Sequence, residues 1–132
     1  MKNPFSIGAQ KEYRHIVIPA DFARFETGEV HAVYATFSLA RDAEWSGRLF
    51  VLEMKEETEE GIGTGITVVH QSPAVAGDEV VFTATLTAVN GNEVVTEYIA
   101  QVGNRIIATG EQKQKIVLKE KLNRLFEHLR QG

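Results

Sequence analysis

One histidine closes an apolar run. In "GTGITVVH", residues 63 to 70, two glycines precede β-branched residues and His70 ends the stretch. Side chains alternate along a strand, so Ile66, Val68 and His70 share one face while Thr67, Val69 and Gln71 share the other. An imidazole on that apolar face has two readings. It is either a core-edge group satisfied by a backbone carbonyl, or a half-buried base that changes charge near neutral pH. The chain has no cysteine, which removes thiolate nucleophiles, disulfides and Cys-bound zinc. Its four histidines are scattered without metal-ligand spacing, so neither a metal nor a resident cofactor is expected.

The elements that must position His70 can be read around it. "EYRHIVIP" has the β-branched content of a strand and stops at Pro19, and "ADFARFETGEV" reads as a loop. From Ser38, a plausible N-cap, to about Thr58 the pattern is helical, and the charged "KEETEEG" leads to a glycine stop. Backbone N–H groups around Ser38 to Ala40 are then free to act as donors. Four β-rich runs follow, "TGITVVHQ", "EVVFTATLTAV", "EVVTEYIAQV" and "RIIATGEQKQKIVL". The separators "NGN" and "GN" are short hairpin signals, so those strands are consecutive and antiparallel. The tail places Leu122, Leu125, Phe126 and Leu129 at helical spacing, a short amphipathic helix.

The long helix carries apolar residues on two sides. Leu39, Ala43, Phe50 and Met54 form one stripe; Trp45, Leu49 and Leu52 form another. A curved antiparallel sheet would cover the first, and a partner subunit or loop the second. Glu44 lies in a strip with Arg41, Arg48 and Lys55, where Arg48 is its i,i+4 partner and a solvated ion pair is the plain expectation.

Length and composition bound the class. The 132 residues read as one domain, residues 1 to 132, with an ordinary globular balance of 43% apolar and 24% charged residues. A net charge of −4 without a basic block argues against nucleic acid as a partner. No stretch approaches a membrane span, and "MKNPFSIGAQ" lacks the apolar core of a secretory signal, so no membrane partner and a cytoplasmic location are expected.

Strand, long helix and then four wrapping strands is the order of the hotdog fold, an α+β architecture. The chain also resembles the fluoroacetyl-CoA thioesterase branch of the hotdog thioesterase superfamily. The resemblance rests on Glu44-Trp45 on the helix, the gap of 26 residues from Glu44 to His70, and the "GTGITVVH" approach. It continues through the Pro73 to Gly77 loop, "IATGEQ" and "EKLN". It implies hydrolysis of an acyl-CoA thioester by Thr36, Glu44 and His70, Thr36 standing eight residues before Glu44 where the family places its threonine. His70 takes a proton from Thr36 or water, and Glu44 either orients His70 or attacks the carbonyl. Gly63 matches the family's glycine at the strand entrance, where a missing side chain lets substrate approach. Each has a plainer reading: Thr36 as helix cap, Gly63 as strand start, and the "EQKQK" lysines as solvation rather than contacts to CoA phosphates.

On one unbroken helix Thr36 and Glu44 would stand about 12 Å apart, at roughly 1.5 Å per residue, and could not share one carbonyl. Either the chain folds back before the helix, or the site joins two subunits. The resemblance implies a homodimer, or a higher assembly of dimers, with sites between protomers. The chain departs from the family in three respects: the connection "ADFARFETGEVHAVYA" before the helix is shorter, the lid phenylalanines find no match in it, and the arginine near the last strand corresponds to Gln114. Short to medium unfluorinated acyl groups are therefore expected. Two other classes share the fold, a non-catalytic acyl-CoA binder and a hydratase or dehydratase, but the hydratase Asp-x-x-x-x-His spacing is absent.

Overall fold

The structure, a computed structural model, describes residues 1–132. Strand β1 (Gln10–Ile16) leads through a 3-10 turn at Pro19–Asp21 into β2 (Phe22–Phe25) and β3 (Gly28–Tyr34). Helix α1 (Thr36–Met54) follows, then β4 (Glu59–Ile66), β5 (Val69–His70), β6 (Glu79–Asn90), β7 (Glu93–Val102), β8 (Arg105–Leu118) and α2 (Lys119–Gln131). The main sheet is antiparallel in the order β1-β6-β7-β8-β4, with β5 also on β8. It wraps one side of α1.

The β6–β7 and β7–β8 turns each start on a glycine, Gly91 at φ 62° and Gly103 at φ 58°. Each glycine is followed by an asparagine, which suits the tight two-residue hairpin that the right-handed strand twist requires. Along β6 the pattern alternates strictly: Val80, Phe82, Ala84 and Leu86 are all fully buried. This is the inward face of a strand with one side on the core.

Both ends of α1 rest on apolar clusters. Leu39 and Ala43 pack with Phe82, Tyr98 and Ile107, while Phe50, Val51 and Met54 pack with Leu86, Val94 and Ile116. Between them lies a polar belt, with Ser46, Thr96, Gln112 and Gln114 buried. Gly47 admits it, because a Cβ there would stand 2.5 Å from Gln112 Oε1 and 2.7 Å from Thr96 Oγ1. The second stripe behaves differently. Trp45 is 40% exposed and Leu52 41%, so this chain leaves that side uncovered.

Three expectations need correction. The stretch read as a loop, residues 20–30, holds the 3-10 turn, β2 and most of a hairpin with β3. Its period-2 signal is faint because little of it is buried, so composition suggested a loop. The long helix ends at Met54 rather than near Thr58. Lys55 already has extended φ and ψ, and the acidic run beyond it begins β4. Finally, Ser38 is not the cap: Ala35 is, and Ser38 is a buried residue inside the first turn. No helix is long and apolar enough to cross a membrane.

Candidate active site

Thr36 opens α1. No side chain caps the helix at Ala35, and the Leu39 N–H is the first to close a turn, 2.9 Å from the Ala35 carbonyl. The N–H groups of Thr36, Phe37 and Ser38 therefore have no backbone partner, as at any helix start. The free donors sit two residues earlier than the sequence suggested, because tertiary contacts at Ala35, not Ser38, set where the helix begins.

His70 reaches this helix start through a register slip. Gly63 pairs with Gln114 and Gly65 with Lys113, so Thr64 is an extra residue in β4. Before the bulge the odd residues face α1: a Cβ on Gly61 would strike Val51, and one on Gly63 would strike the Glu44 carboxylate. After it the even residues do, with Val68 against the core and His70 against Thr36. One inserted residue exchanges the faces of a strand, so without Thr64 the imidazole would point away from the helix.

The strand also breaks at Thr67 and Val68, and this break is held. The Thr67 carbonyl accepts the Tyr98 hydroxyl at 2.6 Å, and Thr67 Oγ1 accepts the Glu111 N–H at 2.8 Å. Gly110 leaves room for the kink, since a Cβ would run into the Thr67 carbonyl. Tyr98 was not singled out from sequence: its role is a contact from β7, and nothing in "EVVTEYIAQV" distinguishes it from a core aromatic.

The resulting geometry pairs Thr36 Oγ1 with His70 Nδ1 at 2.9 Å. A shallow depression of about 300 Å³ opens over them, bordered by Gln71, Ser72 and Pro73. His70 Nε2 is buried without a hydrogen-bond partner. Burial pushes the imidazole pKa below its ordinary 6.5, and the neighbouring Ser72 backbone offsets part of that shift. The ring is therefore neutral at neutral pH. With Nδ1 as acceptor the threonine hydroxyl donates to it, an arrangement in which a base faces a hydroxyl. Beside Thr36, Phe37 meets Phe25 of β2 edge to face, with ring centroids 5.9 Å apart and an interplanar angle of 78°. Both rings are more than half exposed, at 51% and 62%.

Glu44 lies elsewhere. Because α1 is continuous from Thr36, the carboxylate stands about two turns further along, roughly 12 Å at 1.5 Å per residue. It is exposed and lies against Gly63, and the expected pair with Arg48 does not form. Arg48 instead turns across to β4, 2.7 Å from Glu60 Oε1 and 2.8 Å from the Gly61 carbonyl. Glu44 takes part in no ion pair. The four residues singled out from sequence thus form two sets in one chain, Thr36 with His70 and Glu44 with Gly63. No group of His, Asp or Glu side chains has metal-binding geometry.

The chain is similar to known proteins over most of its length. Residues 17–120 match the family described as fluoroacetyl-CoA-specific thioesterase, FlK. A thioesterase superfamily member from Thermus thermophilus is 33% identical, with 97% of this chain and 95% of that chain covered and a TM-score of 0.93. A hot-dog-like protein from Thermanaerovibrio acidaminovorans is 26% identical over 94% and 93% of the two chains, with a TM-score of 0.83. A mutant of the fluoroacetyl-CoA-specific thioesterase FlK in complex with fluoroacetate and CoA is also 26% identical, covering 89% and 99%, with a TM-score of 0.82. No curated protein matches the chain. The long helix wrapped by a curled antiparallel sheet is the hotdog fold, and the chain belongs to the FlK family of the thioesterase superfamily.

Proposed function

We propose that this protein hydrolyses short to medium acyl-CoA thioesters to the free acid and CoA, with Thr36 and His70 at the reacting centre. The observation that carries this reading is the 2.9 Å contact between Thr36 Oγ1 and neutral His70 Nδ1, beside the unpaired N–H groups of residues 36–38. It is supported by the solved FlK structure that holds fluoroacetate and CoA.

The chemistry follows from the groups present. His70 accepts a proton at Nδ1 from the Thr36 hydroxyl, which either attacks itself or is reprotonated by a water bound to it. The oxygen so activated adds to the thioester carbonyl carbon. Negative charge develops on the carbonyl oxygen, where the N–H groups at the start of α1 offer donors. The C–S bond then breaks, and the imidazolium returns its proton to the departing thiolate. If Thr36 is the attacking oxygen, water releases the acyl group from it in a second, equivalent step.

Glu44 cannot join this pair within one chain. We place it in the site from a second copy, with the uncovered Trp45, Leu49 and Leu52 side as part of the contact, so that the functional unit is a homodimer. Gly63 then keeps the Glu44 carboxylate accessible, since any side chain there would displace it.

The test is release of free thiol from acetyl-, butyryl- and fluoroacetyl-CoA. Wild type is expected to release CoA from at least the first two, and His70→Gln to release almost none. Binding of these esters without thiol release would overturn the proposal in favour of a binding protein.

A further inference from the structure

The residues around Ala35 raise a mechanical question. A helix start with no side-chain cap and no acidic residue in its first turn is prone to fray, yet Thr36 sits there facing His70. Something else must hold it.

The holding contacts converge on two buried carboxylates. The Asp21 carbonyl accepts the Ala35 N–H at 2.9 Å, which pins the residue before Thr36. Asp21 itself is only 2% exposed, and its carboxylate accepts the Ile18 N–H at 3.0 Å, His15 Nε2 at 2.7 Å and Arg41 Nη2 at 3.0 Å. Arg41 reaches back to its own helix, where Nε and Nη2 lie 3.0 and 2.9 Å from the two oxygens of Asp42. Asp42 also accepts the Tyr34 hydroxyl, and the Tyr34 N–H donates to the Ala74 carbonyl in the loop after His70, at 2.8 Å. The contacts close a ring that runs from α1 through Arg41 to Asp21 and back to the start of α1. Burial alone would raise the Asp21 pKa, but the bonds from Ile18, His15 and Arg41 outweigh it and hold it below its ordinary value.

We infer that Arg41, by bridging Asp21 and Asp42, acts as a positioning residue: the bridge replaces the missing cap and fixes Thr36 at hydrogen-bonding distance from His70. The inference rests on the proposed Thr36 and His70 site for its catalytic meaning. The mechanical part stands on geometry alone. Arg41 is 55% exposed at its side chain and touches neither Thr36 nor His70, so its effect passes through the Asp21 backbone. A fork that spans two carboxylates on different elements is something a guanidinium does and a single ammonium does poorly.

The test uses the full-length protein and two variants, Arg41→Met, which keeps the stem, and Asp21→Asn, which keeps the backbone carbonyl and the shape. Three quantities are read: amide exchange at Ala35 and Leu39, the bonded amides of the helix start, against Phe50 and Val51, the His70 ring 15N shifts that report the bond at Nδ1, and kcat and KM for acetyl-CoA. Expected is exchange at Ala35 and Leu39 on the order of tenfold faster, with Phe50 and Val51 unchanged, because a local opening is released and not the core. The His70 shifts should move toward those of a free imidazole. The kcat should fall on the order of tenfold or more with KM within about threefold, the signature of lost alignment. Selective exchange and a His70 shift change with unaltered kcat would support the bridge while removing Thr36 and His70 from the chemistry. Uniform faster exchange, or no change at Ala35 and Leu39, would overturn the inference and make the cluster an ordinary stabilising contact. Should Arg41→Met fold poorly, Asp21→Asn alone decides by the same readings.

Discussion

Thr36 Oγ1 lies 2.9 Å from His70 Nδ1 across 34 positions of chain. A helix start, a strand bulge and a kink held by Tyr98 are all needed to bring these atoms together. If His70 is the base, His70→Gln removes a group that accepts a proton near neutrality while keeping its size. Turnover should fall a hundredfold or so, the usual worth of a positioned general base, with a stability change of only about 1 kcal/mol. Rate and melting temperature measured on the same preparation check this. A variant that melts like wild type and keeps more than about a tenth of the rate returns His70 to packing.

The pH dependence has a definite sign. Burial places the folded His70 pKa below the ordinary 6.5. A neutral-imidazole base then gives a rate that is on its plateau at pH 7 and declines only as pH falls through that lowered value. Stability shows the same direction. Above 6.5 both folded and unfolded imidazoles are neutral and His70 contributes nothing; as pH drops from 6.5 through the folded value the unfolded chain binds the proton more readily, and stability is lost. Denaturant titrations between pH 5 and 7, for wild type and His70→Gln, should show a shallower slope in the variant.

Two glycines on β4 make a paired test. A methyl on Gly61 meets Val51, which is fully buried, whereas a methyl on Gly63 meets the end of the exposed Glu44 side chain. Gly61→Ala should destabilise by roughly 1–3 kcal/mol through overpacking. Gly63→Ala should leave the melting temperature within a few degrees, since Glu44 can swing away, yet reduce thioesterase activity if Glu44 works there. Thermal melts and rates on both variants separate the effects. Equal stability losses would contradict the packing difference.

Acyl selectivity is expected to be modest. The aromatic edge at Phe25 and Phe37 is open, and Gln114, a neutral side chain, is buried. Unfluorinated acetyl- and butyryl-CoA should be hydrolysed at least as well as fluoroacetyl-CoA. A fluoroacetyl preference of about a hundredfold in kcat/KM, near 2.7 kcal/mol of transition-state binding, would sink this expectation.

The uncovered side of α1 predicts assembly. Trp45 and Leu52 are too exposed, at 40% and 41%, for a stripe that the helix repeats so regularly. Sedimentation should show a dimer, and Trp45→Asp should shift it toward monomer with loss of activity, because a carboxylate in an apolar contact is costly to desolvate. A fully active monomeric Trp45→Asp protein would place Glu44 outside the reaction.

The chain's own pattern already contained the architecture. Strict alternation in β6, glycine-led hairpin signals at residues 91 and 103, and the buried stripe from Leu39 to Met54 are local periodicities, and local periodicity is what a linear sequence records directly. It also placed His70 on the helix-facing side, because alternation from Ile66 onward survives the break at Thr67. The hairpin over residues 22–34 was hidden because, apart from its base at Phe22 and Tyr34, the ribbon is too exposed for burial to impose a period. The Thr64 bulge, the true start of α1 and the partner of Arg48 were decided only in three dimensions. Each depends on atoms contributed by distant segments: Lys113 and Gln114 opposite the bulge, the Asp21 carbonyl at Ala35, and Glu60 across from Arg48. The family resemblance implied Thr36, Glu44 and His70 as one constellation; the rigid rise of a continuous helix separated Glu44 from the other two.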